Sequence, residues 1–338
     1  MRITRESLLK AARDNADLLA RQDRSILTIF LTGSLLGEEP LIGGVTDIDL
    51  FVIHHTQPLD ERELVRLTDE VLLDITHQPQ SLYQQPRLLR VDPWLGPAIY
   101  ANPVLLHDTQ HWFEFVSASE RSQFTRADYA LQRARPFAES ARQAWLALRE
   151  PAGPATKPVE TLHAYLLAVE SAANAVASLT AGPLPLRRLL LAFPERAAAV
   201  GMPDLYGHLL GLLGAGLAGA DAVRGWIPAW TAAFDAAGAL PGVSLRLHPY
   251  RKPYYERAFE ALAAGEHPHT ALWPLLFTWT LALRSLKDDR SHQAAWLEAC
   301  QQLGLDPESR EHSLAALDSF LDQVEETLDR WAAENGLS

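Results

Sequence analysis

Short apolar runs separated by turn residues characterise the first third of the chain. Residues 4–22 carry apolar side chains at helical spacing, which predicts an α-helix. Leu59–Glu70 is also predicted to be helical. Four other runs are short and rich in β-branched or large apolar residues, so they are predicted to be strands: Ser25–Thr32, Leu50–His54, Val71–Thr76 and Val104–Leu106. Glycine and proline turn signals separate these segments.

The pattern changes after residue 118, where alanine and leucine dominate and runs of β-branched residues disappear. The spacing of apolar residues predicts the following helices: 121–149, 159–181, 186–198, 203–217, 253–265, 270–287 and 308–333. The Pro- and Gly-rich segment 150–158 is either a hinge or a loop between two helices. The last helix is the clearest, with Asp306 as its N-cap, Pro307 at its first position and Gly336 after its end.

These patterns predict an α+β protein with two domains. The first, residues 1–118, is a small domain built on a mixed sheet, and the second, residues 119–338, is an all-α helical bundle. The apolar stripe of the last helix is expected to pack inside the bundle rather than form a seam between subunits.

The acidic balance limits the class of partner. The chain of 338 residues has 42 Asp and Glu against 30 Lys and Arg, which gives a formal net charge of −12. Binding to DNA or RNA needs a basic surface, so no nucleic-acid partner is expected. With one cysteine, no apolar signal segment and no transmembrane run, we expect a cytoplasmic protein without a membrane partner.

Two aspartates stand one residue apart at the start of the second predicted strand. Side chains alternate along a strand, so Asp47 and Asp49 share one face. Their charges repel unless a cation lies between them, and Mg²⁺ commonly binds one or two carboxylates together with substrate phosphates. An EF-hand loop is excluded because its twelfth position would be Pro58, and Gly33–Gly37 has neither P-loop nor dinucleotide-binding spacing. A metal–phosphate site and a solvated pair at a strand end both fit this pattern.

A Gly-Ser pair precedes these aspartates. Thr32-Gly33-Ser34 ends the first predicted strand, twelve residues follow, and then comes Asp47-Ile48-Asp49-Leu50. This combination resembles the signature of the nucleotidyltransferase superfamily of polymerase β. The motif resemblance covers about residues 25–76. A small catalytic domain followed by a helical one is similar in architecture to the kanamycin- and lincosamide-type antibiotic nucleotidyltransferases.

The resemblance implies a third carboxylate on a neighbouring strand, flanked by apolar residues. Asp74 fits that position, and Asp69 is its rival. Together with Asp47 and Asp49 it would hold one or two Mg²⁺ ions that bridge the triphosphate of a bound nucleotide.

Phosphate contacts are expected from four further residues. Glycine at position 33 lets the backbone approach a phosphate closely, and Ser34 can hold phosphate oxygens at the start of a short helix. Arg87 and Arg90 follow the third predicted strand closely and are candidate triphosphate ligands.

In the kanamycin-type enzymes a carboxylate of the helical domain serves as general base, so the resemblance implies such a group here. Glu170 is the candidate, since its neighbours are apolar and Asn174 lies one helical turn further on the same face. Glu170 is either a base with a shifted pKa or a packing residue hydrogen-bonded to Asn174. The alternatives are Glu160, Glu139 and Asp128.

The leading hypothesis is therefore a Mg²⁺-dependent nucleotidyltransferase that moves AMP from ATP onto a hydroxyl of a small molecule and releases pyrophosphate. A second hypothesis is a regulator that AMPylates a protein, like the nucleotidyltransferase antitoxins. A third is an NTP-binding sensor with a degenerate site. Whether the enzyme works as a homodimer stays open at this point.

Overall fold

The computed structural model describes residues 3–109, 111–150, 157–287 and 290–337. The chain forms two compact units, Met1–Tyr129 and Ala130–Ser338. The first contains a five-stranded mixed sheet and the second is helical, so the predicted α+β class with a helical C-terminal region is confirmed at this level. The division between the units falls inside one long helix, Ala127–Arg149, whereas the sequence predicted domains of 1–118 and 119–338.

The first unit consists of a sheet with helices on both faces. Its strands are β1 Ile26–Thr32, β2 Thr46–His54, β3 Arg62–Arg66, β4 Val71–Pro79 and β5 Val104–Asp108. Its helices are α1 Arg5–Gln22, α2 Pro86–Val91, α3 Leu95–Tyr100, α4 Trp112–Arg121 and the beginning of α5 Ala127–Arg149.

The strand order in the sheet is β3-β4-β2-β1-β5. The central pair β2 and β4 is parallel, and the other three pairs are antiparallel. Since β2 and β4 run side by side in the same direction, residues that lie directly beside each other in the two strands project from the same face.

Two apolar layers cover the sheet. On one face, α1 packs through Leu8, Ala12 and Ala16 against apolar side chains of the central strands. On the other face, Phe30 and Ile53 pack against residues of α2, α3 and α4. The central strands are thus buried on both sides, which explains why their sequences read as nearly continuous apolar runs.

Two sequence-based predictions in this unit need correction. Leu59–Glu70 is not a helix, because it contains the edge strand β3, which pairs antiparallel with β4. The second strand begins at Thr46 rather than Leu50, because its first residues already pair with β4. The two aspartates therefore lie within the strand and not ahead of it.

The second unit is an assembly of helices. After the main part of α5 come α6 Pro158–Ala177, α7 Leu189–Ala199, α8 Leu205–Leu212, α9 Ala220–Gly238, α10 Lys252–Ala264, α11 Leu272–Leu286, α12 Gln293–Gln302 and α13 Arg310–Glu334. The sequence did not predict α9 and α12. Most of the Pro- and Gly-rich segment 150–158 lies outside the described residues.

The last helix follows the prediction closely. Asp306 caps a short 3₁₀ helix, Pro307–Ser309, by accepting a hydrogen bond from the backbone N–H of Glu308, and α13 continues from it. Leu317, Leu321 and other members of the apolar stripe are buried inside this unit, as predicted.

None of the helices in the described ranges is both long and apolar enough to span a membrane.

Candidate metal centre

Three carboxylates meet on one face of the first unit's sheet. Asp47 and Asp49 belong to β2, and Asp74 belongs to β4. In the parallel register of β2 and β4, Asp49 lies directly beside Asp74. Asp47 precedes Asp49 by two residues in β2, so it projects from the same face. Ile53 projects from the same face of β2 as Asp47 and Asp49, and it packs against residues of α2, α3 and α4. The three aspartates therefore lie on the face of the sheet that carries these helices.

The three side chains are close enough to share one ion. One ligand oxygen from each lies within 4.8 Å of the others. Asp47 is 8% exposed and Asp74 is 2% exposed, while Asp49 is half-buried. Across the described part of the chain, no other set of three His, Cys, Asp or Glu side chains comes together in this way.

Asp69, the rival for the third position, lies elsewhere. It is exposed and forms an ion pair with Arg66, at 3.6 Å between Nη1 and Oδ1. Asp74 is therefore the carboxylate that the fold brings to Asp47 and Asp49, and the parallel register of β2 and β4 is the cause.

An arginine that the sequence reading missed holds Asp74. Arg62 of β3 donates from Nε to Oδ1 and from Nη2 to Oδ2 of Asp74, both at 2.7 Å. Such two-pronged, charge-assisted pairs fix a carboxylate in orientation as well as in charge. The available signal was the short run Leu64-Val65 between polar residues, which suits an edge strand.

Glycine at position 33 lies against Asp49. Its φ is +79°, in the left-handed region, and a Cβ added there would stand 1.8 Å from Oδ2 of Asp49. A side chain at this position would collide with the carboxylate, so the backbone can pass this close only because residue 33 is glycine.

The predicted short helix after the Gly-Ser pair is present as a 3₁₀ turn, Gly33–Leu36. Leu35 anchors it in the apolar layer under α1. Ser34 is half-buried, and its Oγ lies 3.4 Å from Oγ1 of Thr46, the residue before Asp47. The Ser34 hydroxyl is therefore held next to the start of β2.

A tight turn delivers the chain into β2. Gly43 and Gly44 have φ values of +65° and +74° between Ile42 and Val45, which form a bridge. Two consecutive left-handed residues are what a type I′ turn requires, and glycine adopts that conformation at little cost.

The two candidate phosphate-binding arginines both lie in α2. Arg87 is exposed. Arg90 is buried, and its Nη2 donates to the backbone oxygen and the Oγ of Ser119, at 3.1 Å each. Leu89 of the same helix packs on the face of the sheet that carries the three aspartates. The role of both arginines stays a prediction.

The candidate base lies in the second unit. Glu170 is in α6, its side chain is 15% exposed, and its Oε1 is 3.9 Å from Nη1 of Arg246. Burial raises the pKa of the Glu170 carboxyl, and the charge of Arg246 opposes that rise. Asn174 has a different partner, because its Oδ1 accepts a hydrogen bond from the backbone N–H of Leu184 at 2.7 Å.

The alternative carboxylates have solvent-facing positions or firm partners. Glu160 pairs with Arg284 at 2.8 Å, and Glu139 is exposed. Asp128 accepts two hydrogen bonds from Arg126, which lower its pKa. A raised pKa is the property that suits a carboxylate to proton transfer near neutral pH, and Glu170 has it.

The chemistry of the donor set is that of a hard cation. Three carboxylates offer only oxygen ligands, which suit Mg²⁺, Mn²⁺ or Ca²⁺ rather than a thiophilic metal. The residues present therefore fit a divalent ion of this class.

The chain matches no model of a known protein family, and no curated protein matches it.

Proposed function

We propose that the protein is a Mg²⁺-dependent nucleotidyltransferase of the polymerase β type. The observation that carries the proposal is the convergence of Asp47, Asp49 and Asp74 within 4.8 Å on two parallel strands. The Gly-Ser turn adds support, because the Gly33 backbone lies against Asp49 and Ser34 lies beside the start of β2.

The reaction would transfer AMP from ATP to a hydroxyl of a small acceptor. The acceptor oxygen forms a bond to the α-phosphorus, the bond from that phosphorus to the β-phosphate bridging oxygen breaks, and pyrophosphate leaves. One or two Mg²⁺ ions held by the three aspartates would neutralise phosphate charge and favour the ionised acceptor hydroxyl.

Each candidate site residue has a distinct role in this proposal. The aspartates hold the metal, and Gly33 leaves room for a phosphate to approach the backbone. The Ser34 hydroxyl donates to a phosphate oxygen, with Arg87 and Arg90 as further phosphate ligands. Glu170 is the proposed acceptor of the proton from the hydroxyl.

The acceptor is proposed to be a small cationic molecule with hydroxyl groups, of the aminoglycoside kind. The formal net charge of −12 favours attraction of cations. Two alternatives use the same site: AMPylation of a protein partner, and binding of a nucleotide without turnover.

The test is pyrophosphate release from each of the four NTPs with Mg²⁺ against a panel of hydroxyl-bearing acceptors. We expect the Asp47→Asn/Asp49→Asn variant to lose at least about a hundredfold in rate, because the two neutral amides bind Mg²⁺ more weakly than carboxylates do. Asp69→Asn is the matched control, since it removes an exposed carboxylate outside the group of three, and it should behave as wild type.

Three outcomes separate the hypotheses. Equal rates for wild type and the double variant on every acceptor would contradict the enzyme proposal. Labelling of a protein without turnover of small molecules would favour the AMPylation alternative, and ATP binding without any turnover would favour the sensor.

A further inference from the structure

We infer that Arg62 is a positioning residue that presents Asp74 to the metal and also limits how tightly the metal binds. This inference rests on the proposed function, because it assigns a regulator of affinity to the same site. It starts from the two hydrogen bonds of 2.7 Å by which one guanidinium edge holds both oxygens of Asp74.

The strand order allows Arg62 and a metal ion to use Asp74 together. The strand that carries Asp74, β4, lies between β3, which carries Arg62, and β2, which carries Asp49. The arginine therefore reaches the carboxylate from one side, and the other two aspartates lie on the opposite side. Each carboxylate oxygen has two lone pairs, so it can accept from Arg62 and still ligate an ion.

Arg62 also meets an electrostatic need of the site without metal. Asp74 is 2% exposed and shares the face with two more carboxylates, so water screens their repulsion poorly. The guanidinium offsets part of that negative charge. When a divalent cation binds, however, the same positive charge lies one carboxylate away and repels it.

The two effects make opposite predictions for affinity and for rate. Loss of the positive charge should tighten metal binding, whereas loss of the fixed orientation of Asp74 should slow the reaction. A residue that served only the stability of the fold would change neither the metal Kd nor the balance between KM for metal and kcat.

The experiment measures Mn²⁺ binding to the full chain by calorimetry at fixed pH, together with kcat and the KM for metal. We expect Arg62→Gln to lower the Kd about threefold or more by removal of a nearby charge. In that variant kcat should fall about tenfold, through the loss of orientation.

Two further variants keep the test specific. Arg62→Lys retains the charge but not the two-pronged grip, so its Kd should stay within about twofold of wild type while kcat falls. Lys10→Gln is the control, because Lys10 is an exposed cation of α1, which packs on the opposite face of the sheet, and it pairs with Asp14 at 2.6 Å. It should change neither quantity.

An unchanged or weaker Mn²⁺ affinity in Arg62→Gln would overturn the inference, as would equal effects of Arg62→Gln and Lys10→Gln. Circular dichroism checks that each variant is folded. If Arg62→Gln does not fold, Arg62→Lys provides the test, because an unchanged kcat in Arg62→Lys would also overturn the inference. Tighter Mn²⁺ binding in Arg62→Gln with no nucleotide transfer by wild type would refute the proposed function and retain the charge effect. No Mn²⁺ binding by wild type would refute both.

Discussion

At the scale of single residues, Gly33 and Asp49 determine the local geometry of the candidate site. The sequence predicted that Gly33 would let the backbone approach a phosphate. The structure adds a second constraint, because the position that a Cβ would take is already occupied by the Asp49 carboxylate. Only long-range pairing of β1 with β2 brings these two residues together, so local sequence could not reveal it.

Replacement of Gly33 by alanine should therefore impair both stability and metal binding. We expect the left-handed backbone to cost about 1–2 kcal/mol of unfolding free energy, measured by urea denaturation. Displacement of the Asp49 carboxylate should in addition weaken Mn²⁺ binding about tenfold or more, because one of three ligands moves away.

Gly44→Ala separates these two effects. Gly44 has a similar φ of +74°, but a Cβ there would meet no atom within 4 Å. This variant should lose similar stability and keep its metal affinity. Equal metal affinities for the two variants would show that the contact between Gly33 and Asp49 does not shape the site.

At the scale of elements, local patterns predicted most of the structure but not β3. The segment Leu59–Glu70 is rich in Glu, Arg and Leu, which favour helices. Its strand forms because β4 offers an open edge for antiparallel pairing, and this tertiary contact outweighs local preference. Arg62 was missed for the same reason.

The missed helix α9 illustrates the opposite error. It contains Pro228 in its interior, which argues locally against a helix. Trp226, Trp230 and Phe234 are nevertheless buried along it. Their packing against the other helices of the unit stabilises the segment beyond what propensity indicates.

The two-residue period of a strand was enough to predict that Asp47 and Asp49 share a face. The place of Asp74 depends on the parallel register of β2 and β4, which no local pattern encodes. The resemblance to a known superfamily supplied that expectation, and the structure brings the residue to the predicted position beside the other two.

Strands β2 and β4 carry two histidines on the opposite face of the sheet, His54 buried and His77 half-buried. Nε2 of His54 lies 2.9 Å from Nδ1 of His77, and Ser25 Oγ lies 2.9 Å from Nδ1 of His54. Burial lowers the pKa of both rings, and the positive charge of His77 lowers the pKa of His54 further. Asp23 and Glu63 oppose this effect from the rim of the pair.

This pair should make the fold less stable in mild acid. The pKa of both rings is lower in the folded state than in the unfolded chain, so the unfolded chain binds protons more readily as the pH falls. The contribution of the two histidines to the free energy of unfolding is therefore present in full above about pH 6.5 and is lost as the pH falls through their folded-state pKa. Urea denaturation measures the free energy of unfolding at pH 7.5 and at pH 5.5. The decrease between these two pH values should be smaller in His54→Asn/His77→Asn than in wild type. The exposed His312→Asn control should follow wild type, and an unchanged pH dependence in the double variant would contradict this prediction.

At the scale of the whole molecule, the chain places its candidate groups in two units. The three aspartates, the Gly-Ser turn and α2 belong to Met1–Tyr129, whereas Glu170 belongs to Ala130–Ser338. The metal-binding part of the proposal therefore depends on one unit alone. The assignment of the base is a separate prediction, so the metal-binding claim can be tested independently of it.

The most direct test of the central claim follows the phosphorus atoms of ATP. The protein is incubated with Mg²⁺, an acceptor panel and ATP that carries radioactive phosphorus at either the α- or the γ-position. Nucleotidyl transfer predicts that α-label moves to the acceptor and γ-label is released as pyrophosphate, with both signals lost in Asp47→Asn/Asp49→Asn. Transfer of γ-label to the acceptor, or α-label transfer that the double variant retains, would contradict the account.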